Sequence, residues 1–172
     1  SPERAFREDQ DLVLGAPSKA RFAYACSKLM GEFLALAYRK ELRLDVRIAR
    51  LFNTVGPRQT GRFGMVLPRF VDQALEGGPI RVFGDGGQRR ALAWVGDIVR
   101  GLLRLMEEPR AEGEIVNLGS EEEVSIRELA ERVRAAADPR VEIVCVPYER
   151  AYGPGFDDLA RRRPDISKAR AL

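Results

Sequence analysis

The chain contains no histidine, so it lacks the residue that most often binds metal ions and acts as a general base near neutral pH. No secretory signal accompanies its two cysteines, Cys26 and Cys145, and we expect both to be reduced thiols buried as small apolar side chains. Without a histidine to activate them, neither is expected to act as a nucleophile. No apolar run approaches the roughly 20 residues that span a bilayer. These absences predict a cytoplasmic protein with no metal site and no membrane segment.

Neither sign of charge predominates. The 29 basic and 26 acidic side chains give a net charge of +3 and alternate along most of the chain. The only basic cluster is Arg161-Arg162-Arg163, so we expect no nucleic-acid-binding stripe. A length of 172 residues, with 45% hydrophobic and 32% charged side chains, favours a globular domain with its own core over a disordered chain.

Hydrophobic periodicity and the positions of glycine and proline predict alternating helices and strands. The predicted helices cover residues 21–42, 65–76, 97–107 and 125–137. The predicted strands cover residues 45–52, 80–83, 91–95, 114–118 and 141–146. Strands that alternate with helices indicate an α/β fold with a largely parallel sheet.

Local signals refine this prediction at three places. Ser125, followed by Glu128 three residues later, has the pattern of a capping box at a helix start. Asp97 is expected to cap the helix that begins there. Between residues 147 and 164, glycine and proline are so frequent that we expect no regular structure.

The most informative pair of residues is Tyr24 and Lys28, which lie four positions apart in a predicted helix. That spacing places a phenol and an ammonium group on one face, about one turn apart. A neighbouring cation favours the phenolate, so Tyr24 is a candidate to exchange a proton with an alcohol being oxidised or a carbonyl being reduced. The alternative is an amphipathic helix with a half-buried tyrosine and a solvated lysine.

Further motifs follow this pair in a distinctive order. They are Arg50-Leu-Phe-Asn-Thr-Val-Gly-Pro-Arg58, Gly84-Asp-Gly-Gly-Gln-Arg-Arg90 with Val95-Gly-Asp97, Asn117-Leu-Gly119, and Pro164-Asp-Ile-Ser-Lys168. Together with the Tyr-Lys pair they resemble the extended short-chain dehydrogenase/reductases that modify nucleotide sugars. That group includes UDP-glucose 4-epimerases, dTDP-glucose 4,6-dehydratases and UDP-glucuronate decarboxylases. The resemblance covers the chain from about residue 6 onward.

The resemblance implies a Rossmann-like parallel-sheet domain and a smaller α/β substrate-binding lobe, with this chain supplying the C-terminal part. The sequence has no Gly-rich turn of the kind that seats a dinucleotide pyrophosphate, and no Ser or Thr segment of the kind the family places upstream of the tyrosine. Residues 1–56 and 94–120 are expected to complete the dinucleotide-binding domain. Residues 57–93 and 121–172 are expected to form the substrate lobe. Because the Gly-rich turn and the Ser or Thr segment are both missing, we expect residues 1–172 alone to turn over little or no substrate.

By the same resemblance NAD is the cofactor, and Tyr24 and Lys28 are both catalytic and cofactor-binding. Tyr24 would take the proton of the sugar 4-hydroxyl while C4 gives up hydride, and Lys28 would hold the nicotinamide ribose. Asn53 follows a strand, where its amide can reach the diphosphate or the sugar at the carboxyl edge of the sheet. The alternative is a turn-forming asparagine ahead of Gly56 and Pro57.

Two arginines are implied to bind the diphosphate. Arg90 matches an arginine that family members aim at the phosphates, for which a planar guanidinium is suited. The alternative is a solvated charge beside Arg89. Arg162 is expected to join it, although the adjacent Arg161 and Arg163 leave the register open.

The residues Phe83, Met65 and Val66 complete the predicted substrate-binding set. Phe83 aligns with the residue that packs against the nucleotide base, and the alternative is a core phenylalanine at a strand end. Met65 and Val66 stand where relatives often carry Asn-Leu. The lost amide removes one contact to the nucleotide and weakens an assignment to UDP-glucose.

The activity that the resemblance favours is C4 epimerisation of a UDP-linked sugar through a 4-keto intermediate. One alternative is a UDP-glucuronate decarboxylase or dTDP-sugar 4,6-dehydratase of the same superfamily. Another is a non-catalytic fragment that binds sugar nucleotides. We expect a homodimer formed through a helix bundle that includes residues 21–42, and no nucleic-acid or membrane partner.

Overall fold

The computed structural model describes residues 5–19, 21–63, 65–152 and 161–172, and within them helices alternate with strands. The helices are α1 (Arg21–Leu42), α2 (Val66–Leu75), α3 (Val95–Glu107), α4 (Ile126–Ala137), α5 (Tyr148–Tyr152) and α6 (Ser167–Ala171), and 3₁₀ turns lie at Gly61–Phe63 and Pro109–Ala111. The strands are β1 (Ile48–Leu51), β2 (Thr54–Val55), β3 (Ile80–Phe83), β4 (Arg89–Ala91), β5 (Ala93–Trp94), β6 (Ile115–Leu118), β7 (Glu123–Ser125), β8 (Ile143–Val146) and β9 (Arg161–Arg162). The predicted α/β class is confirmed.

Parallel pairing joins strands that are far apart in the sequence. β1 pairs with β6, β2 with β5 and β3 with β8, all in parallel. β4 lies between an antiparallel β7 and a parallel β9. Parallel strands need a crossover connection, and helices lie in the segments that connect these pairs. Only Phe52 and Asn53 separate β1 from β2, so Asn53 lies where the chain passes from one sheet to the next.

Two apolar clusters hold these elements together. One lies where α2 and α4 pack over β3, and its members Ile80 and Val82 have 0% solvent exposure. The other lies between α3 and β6 around Val116, and Ala169 and Leu172 from the C-terminal end pack against it. Full burial of a side chain the size of valine or isoleucine contributes about 1.5–3 kcal/mol. The clusters therefore fix the strands whose ends carry the polar residues described below.

One helix-start prediction is confirmed and the other is wrong. At the start of α4, Ser125 Oγ accepts a hydrogen bond from the Glu128 N–H at 3.1 Å, as the capping-box pattern predicts. Asp97 does not cap α3, because the extended conformation of Trp94 starts that helix at Val95. Asp97 instead lies in the first turn and pairs with Arg100. A carboxylate in a first turn still favours the helix through the helix dipole.

The prediction that both cysteines are buried is also wrong. Cys26 and Cys145 are free and exposed. Cys26 lies on a face of α1 that the described residues do not cover. Cys145 lies on β8, where its Sγ accepts a hydrogen bond from Arg127 Nη2 at 3.3 Å. Each thiol thus lies on the outer surface of its helix or strand rather than in either cluster.

The stretch expected to lack regular structure contains two short elements among its described residues, α5 and β9. Pro147 starts α5, because its carbonyl accepts a hydrogen bond from the Arg150 N–H at 3.1 Å. β9 forms because β4 offers it a free edge. Neither cause is visible in local composition. Of the helices that the structure describes, none has the length and apolar character needed to cross a membrane.

Candidate active site

All of the predicted site residues line two adjoining cavities. The helix cleft has a volume of about 920 Å³ and lies between α1, β1 and residues 10–14. The arginine pocket has a volume of about 290 Å³ and lies between α2, β3, β4 and α5. Tyr24 and Lys28 line the helix cleft, Met65, Val66, Phe83 and Arg90 line the arginine pocket, and Asn53 and Arg162 line both. The structure thus brings these residues into one two-part site.

Tyr24 and Lys28 lie together on α1, as their spacing predicts. Lys28 Nζ is 5.4 Å from the centroid of the Tyr24 ring, within the range of a cation–π contact. Tyr24 is 71% exposed, so it is not the half-buried residue of the alternative interpretation. The phenol is therefore accessible to a molecule in the helix cleft, with an ammonium group beside it.

An ion pair that the sequence analysis missed ties α1 to β1. Arg50 on β1 donates two hydrogen bonds to the Glu32 carboxylate on α1, at 2.8 and 2.7 Å. The two side chains are only 19% and 15% exposed, and the hydrogen bonding to Glu32 raises the pKa of Arg50 above its usual value. Paired geometry of this kind adds orientation as well as energy. The pair holds the helix that carries Tyr24, but its members lie eighteen positions apart in the sequence, so no local pattern could reveal it.

Asn53 forms a turn and also lines the site. Its φ of 35° lies in the left-handed region, which asparagine tolerates better than most residues. Its Nδ2 donates a hydrogen bond to the Ala91 carbonyl at 3.1 Å, which ties the turn to β4. The turn-forming interpretation therefore describes its backbone. The same conformation places the residue at the junction of the two cavities.

The pairing of β4 with β9 shows which residue of the arginine triplet lines the site. Arg89 is opposite Arg161 and Arg90 is opposite Arg162 in parallel register. Arg161 forms an ion pair with Glu123, whose side chain is only 7% exposed. Hydrogen bonding from Arg161 lowers the pKa of Glu123 below its usual value. Because side chains alternate along a strand, Arg90 and Arg162 share the other face, and both line the arginine pocket.

The sequence analysis missed most of the other residues that line the arginine pocket, among them Arg69, Arg81 and Tyr148. Arg69 on α2 places its guanidinium carbon 4.8 Å from the centroid of the Phe83 ring. Arg81 and Tyr148 also line the pocket. The pocket lining thus includes four arginines and no aspartate or glutamate among the described residues. The apolar periodicity of α2 indicates that Arg69 lies away from the apolar face of the helix. It does not indicate the contact with Phe83, which arises only because α2 packs on β3.

The arginine pocket also contains hydrogen-bond acceptors that lack a donor within the described part of the chain. They are the buried oxygens Thr54 Oγ1, Gln59 Oε1 and Gln88 Oε1. The amide nitrogens of both glutamines are engaged: Gln59 donates to the Thr54 carbonyl at 2.9 Å and Gln88 to the Phe83 carbonyl at 3.2 Å. Buried acceptors without a partner cost free energy, which a ligand hydroxyl or N–H group would recover.

Asn117 provides a similar feature in the helix cleft. It is 1% exposed, and its amide nitrogen donates to the Phe6 and Asp165 carbonyls at 2.9 and 3.1 Å. Its Oδ1 has no partner among the residues that the structure describes. The same described residues include no group of three or more His, Cys, Asp or Glu side chains that could hold a metal ion.

Comparison with known proteins identifies relatives over nearly the whole chain. The family described as the NAD dependent epimerase/dehydratase family matches residues 3–119. A UDP-N-acetyl-alpha-D-glucosaminuronate decarboxylase from Bacillus cytotoxicus is 40% identical over 97% of this chain. UDP-glucuronic acid decarboxylase 4 of Arabidopsis thaliana is 41% identical over 91% of it. The chain spans 52% of the first of these proteins and 33% of the second.

Solved structures match the fold as well. A UDP-glucuronic acid 4-epimerase from Bacillus cereus, in complex with UDP-glucuronic acid and NAD, has a TM-score of 0.82 and 29% identity. The match covers 98% of this chain and 50% of the epimerase. The dTDP-glucose 4,6-dehydratase DesIV from Streptomyces venezuelae, with NAD bound, has a TM-score of 0.77 and 29% identity over 98% of this chain and 48% of its own. The resemblance drawn from the sequence motifs is confirmed: the chain belongs to the NAD dependent epimerase/dehydratase family.

Proposed function

We propose that the full-length protein uses NAD to oxidise C4 of a UDP-linked hexuronic acid and acts on the resulting 4-keto sugar. The observation that carries this proposal is the two-part site. The arginine pocket has four cations, no carboxylate and three unsatisfied acceptors within the described residues, and it adjoins the cleft that contains Tyr24 and Lys28. A nucleoside diphosphate sugar has an anionic centre flanked by hydroxyl groups, and so matches both kinds of group.

The substrate is proposed to lie along the two cavities. Arg90 and Arg162 bind the diphosphate, because two guanidinium groups on one face of paired strands suit phosphate oxygens. The base lies at the Phe83 end of the arginine pocket. The sugar extends past Asn53 toward Tyr24. This arrangement is supported by the fact that Asn53 and Arg162 line both cavities, whereas Phe83 lines only the arginine pocket.

Met65 and Val66 are proposed to close the wall of the arginine pocket by contact with the nucleotide. Met65 is 41% exposed at the start of α2, and Val66 is half-buried beside it. Both are apolar, so they add van der Waals contact rather than hydrogen bonds. They would tolerate conservative substitution better than the arginines.

Tyr24 is proposed to act as the proton acceptor. Its phenolate takes the proton of the 4-hydroxyl as the C4–H bond breaks, and it returns that proton when the ketone is reduced. When bound, NAD would supply the hydride acceptor for the hydrogen that leaves C4. Lys28 is proposed to stabilise the negative charge on the Tyr24 oxygen during the reaction; its Nζ lies 5.4 Å from the centroid of the ring. Charge stabilisation of this kind is commonly the largest contribution to catalysis.

The residues of the helix cleft fit the nicotinamide ribose of NAD. Lys28 offers three N–H donors to the ribose hydroxyls, and Asn117 Oδ1 is a buried acceptor that lacks a partner within the described residues of the same cleft. Tyr24 is exposed beside them. These residues would hold only one end of the cofactor, because the sequence has no Gly-rich turn for the pyrophosphate.

Decarboxylation is the first candidate for the fate of the 4-keto sugar. A ketone at C4 makes the C6 carboxylate a β-keto acid, which loses carbon dioxide and leaves an enolate that is protonated at C5. This choice is supported by the decarboxylases that are 40% and 41% identical over most of this chain. C4 epimerisation, which the sequence motifs favour, is the second candidate. It is supported by the UDP-glucuronic acid 4-epimerase match with its TM-score of 0.82.

Product analysis on the full-length protein tests these candidates. UDP-glucuronate and UDP-N-acetylglucosaminuronate are each incubated with the protein and NAD, and products are identified by NMR spectroscopy and carbon dioxide release. A UDP-pentose with one equivalent of carbon dioxide supports decarboxylation, and an epimer that retains its carboxylate supports the second candidate. Turnover of dTDP-glucose alone would reject the hexuronic acid assignment. UDP binding without NAD binding or turnover would support a non-catalytic fragment instead.

Three further features complete the proposal. The dinucleotide domain comprises residues 1–56 and 94–120, and the substrate lobe comprises residues 57–93 and 121–172. The two separate apolar clusters support this division in outline, although Ala93, Ala169 and Leu172 pack with the cluster of the dinucleotide domain. The protein is a homodimer formed through α1, where the side chains of Phe33, Leu34 and Tyr38 are at least half exposed. It is cytoplasmic, which its two free cysteines support. Light scattering of the purified protein tests the dimer.

A further inference from the structure

The turn after β3 contains a glycine whose missing side chain leaves room for an aromatic ring. Gly84 has a φ of +70°, and a Cβ atom at this position would lie 2.5 Å from Tyr148 Cε2 and 3.1 Å from Cδ2. The most favourable separation between two non-bonded carbon atoms is about 3.5–4.0 Å, so both of these distances are too short. The ring of Tyr148 therefore packs directly against the backbone of Gly84. No residue with a side chain could occupy this position without displacing the ring.

The same turn is anchored to the strand that precedes Tyr148. The Gly84 N–H donates a hydrogen bond to the Val146 carbonyl at 2.9 Å, at the end of the parallel pair β3–β8. Tyr148 follows Val146 by two residues, at the start of α5. The position of the ring is thus determined by the paired strands as well as by the space above Gly84. Tyr148 is half-buried and lines the arginine pocket.

Tyr148 and Phe83 give the arginine pocket aromatic rings from two separate elements. Phe83 immediately precedes Gly84, and Arg69 covers its ring at 4.8 Å. Phe83 and Tyr148 line the arginine pocket but not the helix cleft. Both therefore lie at the end of the two-part site that is away from Tyr24. Aromatic rings bind nucleobases by stacking, which tolerates any base because every base has a π-face.

We propose that Tyr148 is a nucleobase-binding residue that contacts the base through its ring, and that Gly84 is the positioning residue that leaves room for that ring. This inference rests on the proposed nucleotide site in the arginine pocket. It adds a contact from α5 to the contacts from β3 and β4. Since stacking needs the ring and not the phenolic hydroxyl, Tyr148→Phe should bind UDP as the original chain does.

Equilibrium binding to the 172-residue chain, measured by calorimetry with UDP, CDP and inorganic pyrophosphate, tests the inference. Stacking on one ring is worth about 1–3 kcal/mol, which corresponds to roughly 5- to 150-fold in affinity. Tyr148→Ala should therefore weaken UDP and CDP binding by about fivefold or more and leave pyrophosphate binding within about twofold. Equal loss for pyrophosphate, or no loss for UDP, overturns the inference. So does a Tyr148→Phe variant as weak as Tyr148→Ala.

Gly84→Ala tests the positioning role, and two other glycines provide controls. Gly77 has a similar φ of +72° with nothing within 4 Å of an added Cβ, so Gly77→Ala reports the cost of backbone strain alone. Gly87 lies in the same loop as Gly84, and the atoms nearest to its added Cβ, at 3.3–3.5 Å, belong to the flexible side chain of Asp85. Gly84→Ala should weaken UDP binding by about tenfold, and both controls should bind UDP within about twofold of the original chain.

The double variant Gly84→Ala with Tyr148→Ala separates positioning from general damage. If Gly84 acts through the ring, the alanine at residue 84 costs no further UDP affinity once the ring is gone. Additive losses would mean that Gly84 acts independently of Tyr148, and would overturn the positioning role. If the original chain binds UDP and CDP no more tightly than it binds pyrophosphate, the proposed nucleobase contact is wrong, while the proposed diphosphate site still stands. A full-length protein that binds neither UDP nor pyrophosphate would refute the proposed function itself.

Discussion

Two adjacent arginines on β4 give a matched test of the diphosphate site. Arg90 is half-buried and lines the arginine pocket, whereas Arg89 is exposed and donates a hydrogen bond to the Glu123 carbonyl at 3.2 Å on the other face. Arg90→Met and Arg89→Met remove the same charge from the same strand. Methionine retains much of the length and apolar stem of arginine. Any difference between the variants therefore reports the position of the guanidinium, since the change in net charge is identical.

The expected size of the effect follows from the chemistry of a charged hydrogen bond. A hydrogen bond to a charged group contributes about 1.5–3 kcal/mol. Because each 1.4 kcal/mol is about tenfold, Arg90→Met should weaken UDP binding by about 10- to 150-fold. Arg89→Met should weaken it by no more than about threefold, because its charge is separated from the pocket by the strand and screened by solvent. Three other arginines remain in the pocket lining, so binding should be reduced rather than abolished.

Isothermal titration calorimetry with UDP and with inorganic pyrophosphate, at low and high salt, provides the measurement. The affinity of the original chain should fall as sodium chloride rises, and the Arg90→Met chain should show a shallower dependence because it makes one ionic contact fewer. Thermal unfolding of both variants checks that the fold is retained. If the two variants bind UDP equally well, the assignment of the arginine pocket to the diphosphate is wrong, whatever the absolute affinities are.

Three further outcomes are expected. In the full-length protein, Tyr24→Phe should lower turnover at least 100-fold with UDP affinity unchanged, and a normal rate would exclude Tyr24 as proton acceptor. Glu32→Gln should lower the melting temperature by about 4–8 °C, because it loses about 2 kcal/mol from a largely buried ion pair with Arg50. Glu123 has a lowered pKa through Arg161, so its contribution to stability is complete above the unfolded value of about 4.3 and is lost as the pH falls through the lower folded value. Acid unfolding of Glu123→Gln should therefore depend less on pH than that of the original chain, and identical profiles would contradict this.

Local patterns in the sequence predicted the four longest helices among the described residues, α1 to α4, because the causes of these helices are local. Hydrophobic periodicity located the helices, and Ser125 with Glu128 marked the start of α4. The spacing of Tyr24 and Lys28 predicted that their side chains lie together, as they do. Each of these features depends on residues within about one helical turn of each other. The α/β class followed from the order of such elements, and it is confirmed.

The remaining features of the site depend on pairing between distant segments. The register of β9 against β4 decided between Arg161 and Arg162, and no neighbouring residue indicates it. Tyr148 joins the arginine pocket only because β8 pairs with β3 and brings α5 to the turn after Phe83. The exposure of Cys145 has a similar origin, since composition favours burial and only the position of β8 leaves the thiol beside Arg127. Tertiary arrangement decided each of these cases.

The ion pair between Glu123 and Arg161 connects stability to ligand binding. Arg162 follows Arg161 on a strand of only two residues, and that strand is held by its pairing with β4 and by the Glu123 carboxylate. A side chain on the outer face therefore helps to position a guanidinium on the inner face. Glu123→Gln should weaken UDP binding although Glu123 lies outside both cavities. Since Arg162 lines both the arginine pocket and the helix cleft, the same change should also disturb how the sugar is presented to Tyr24.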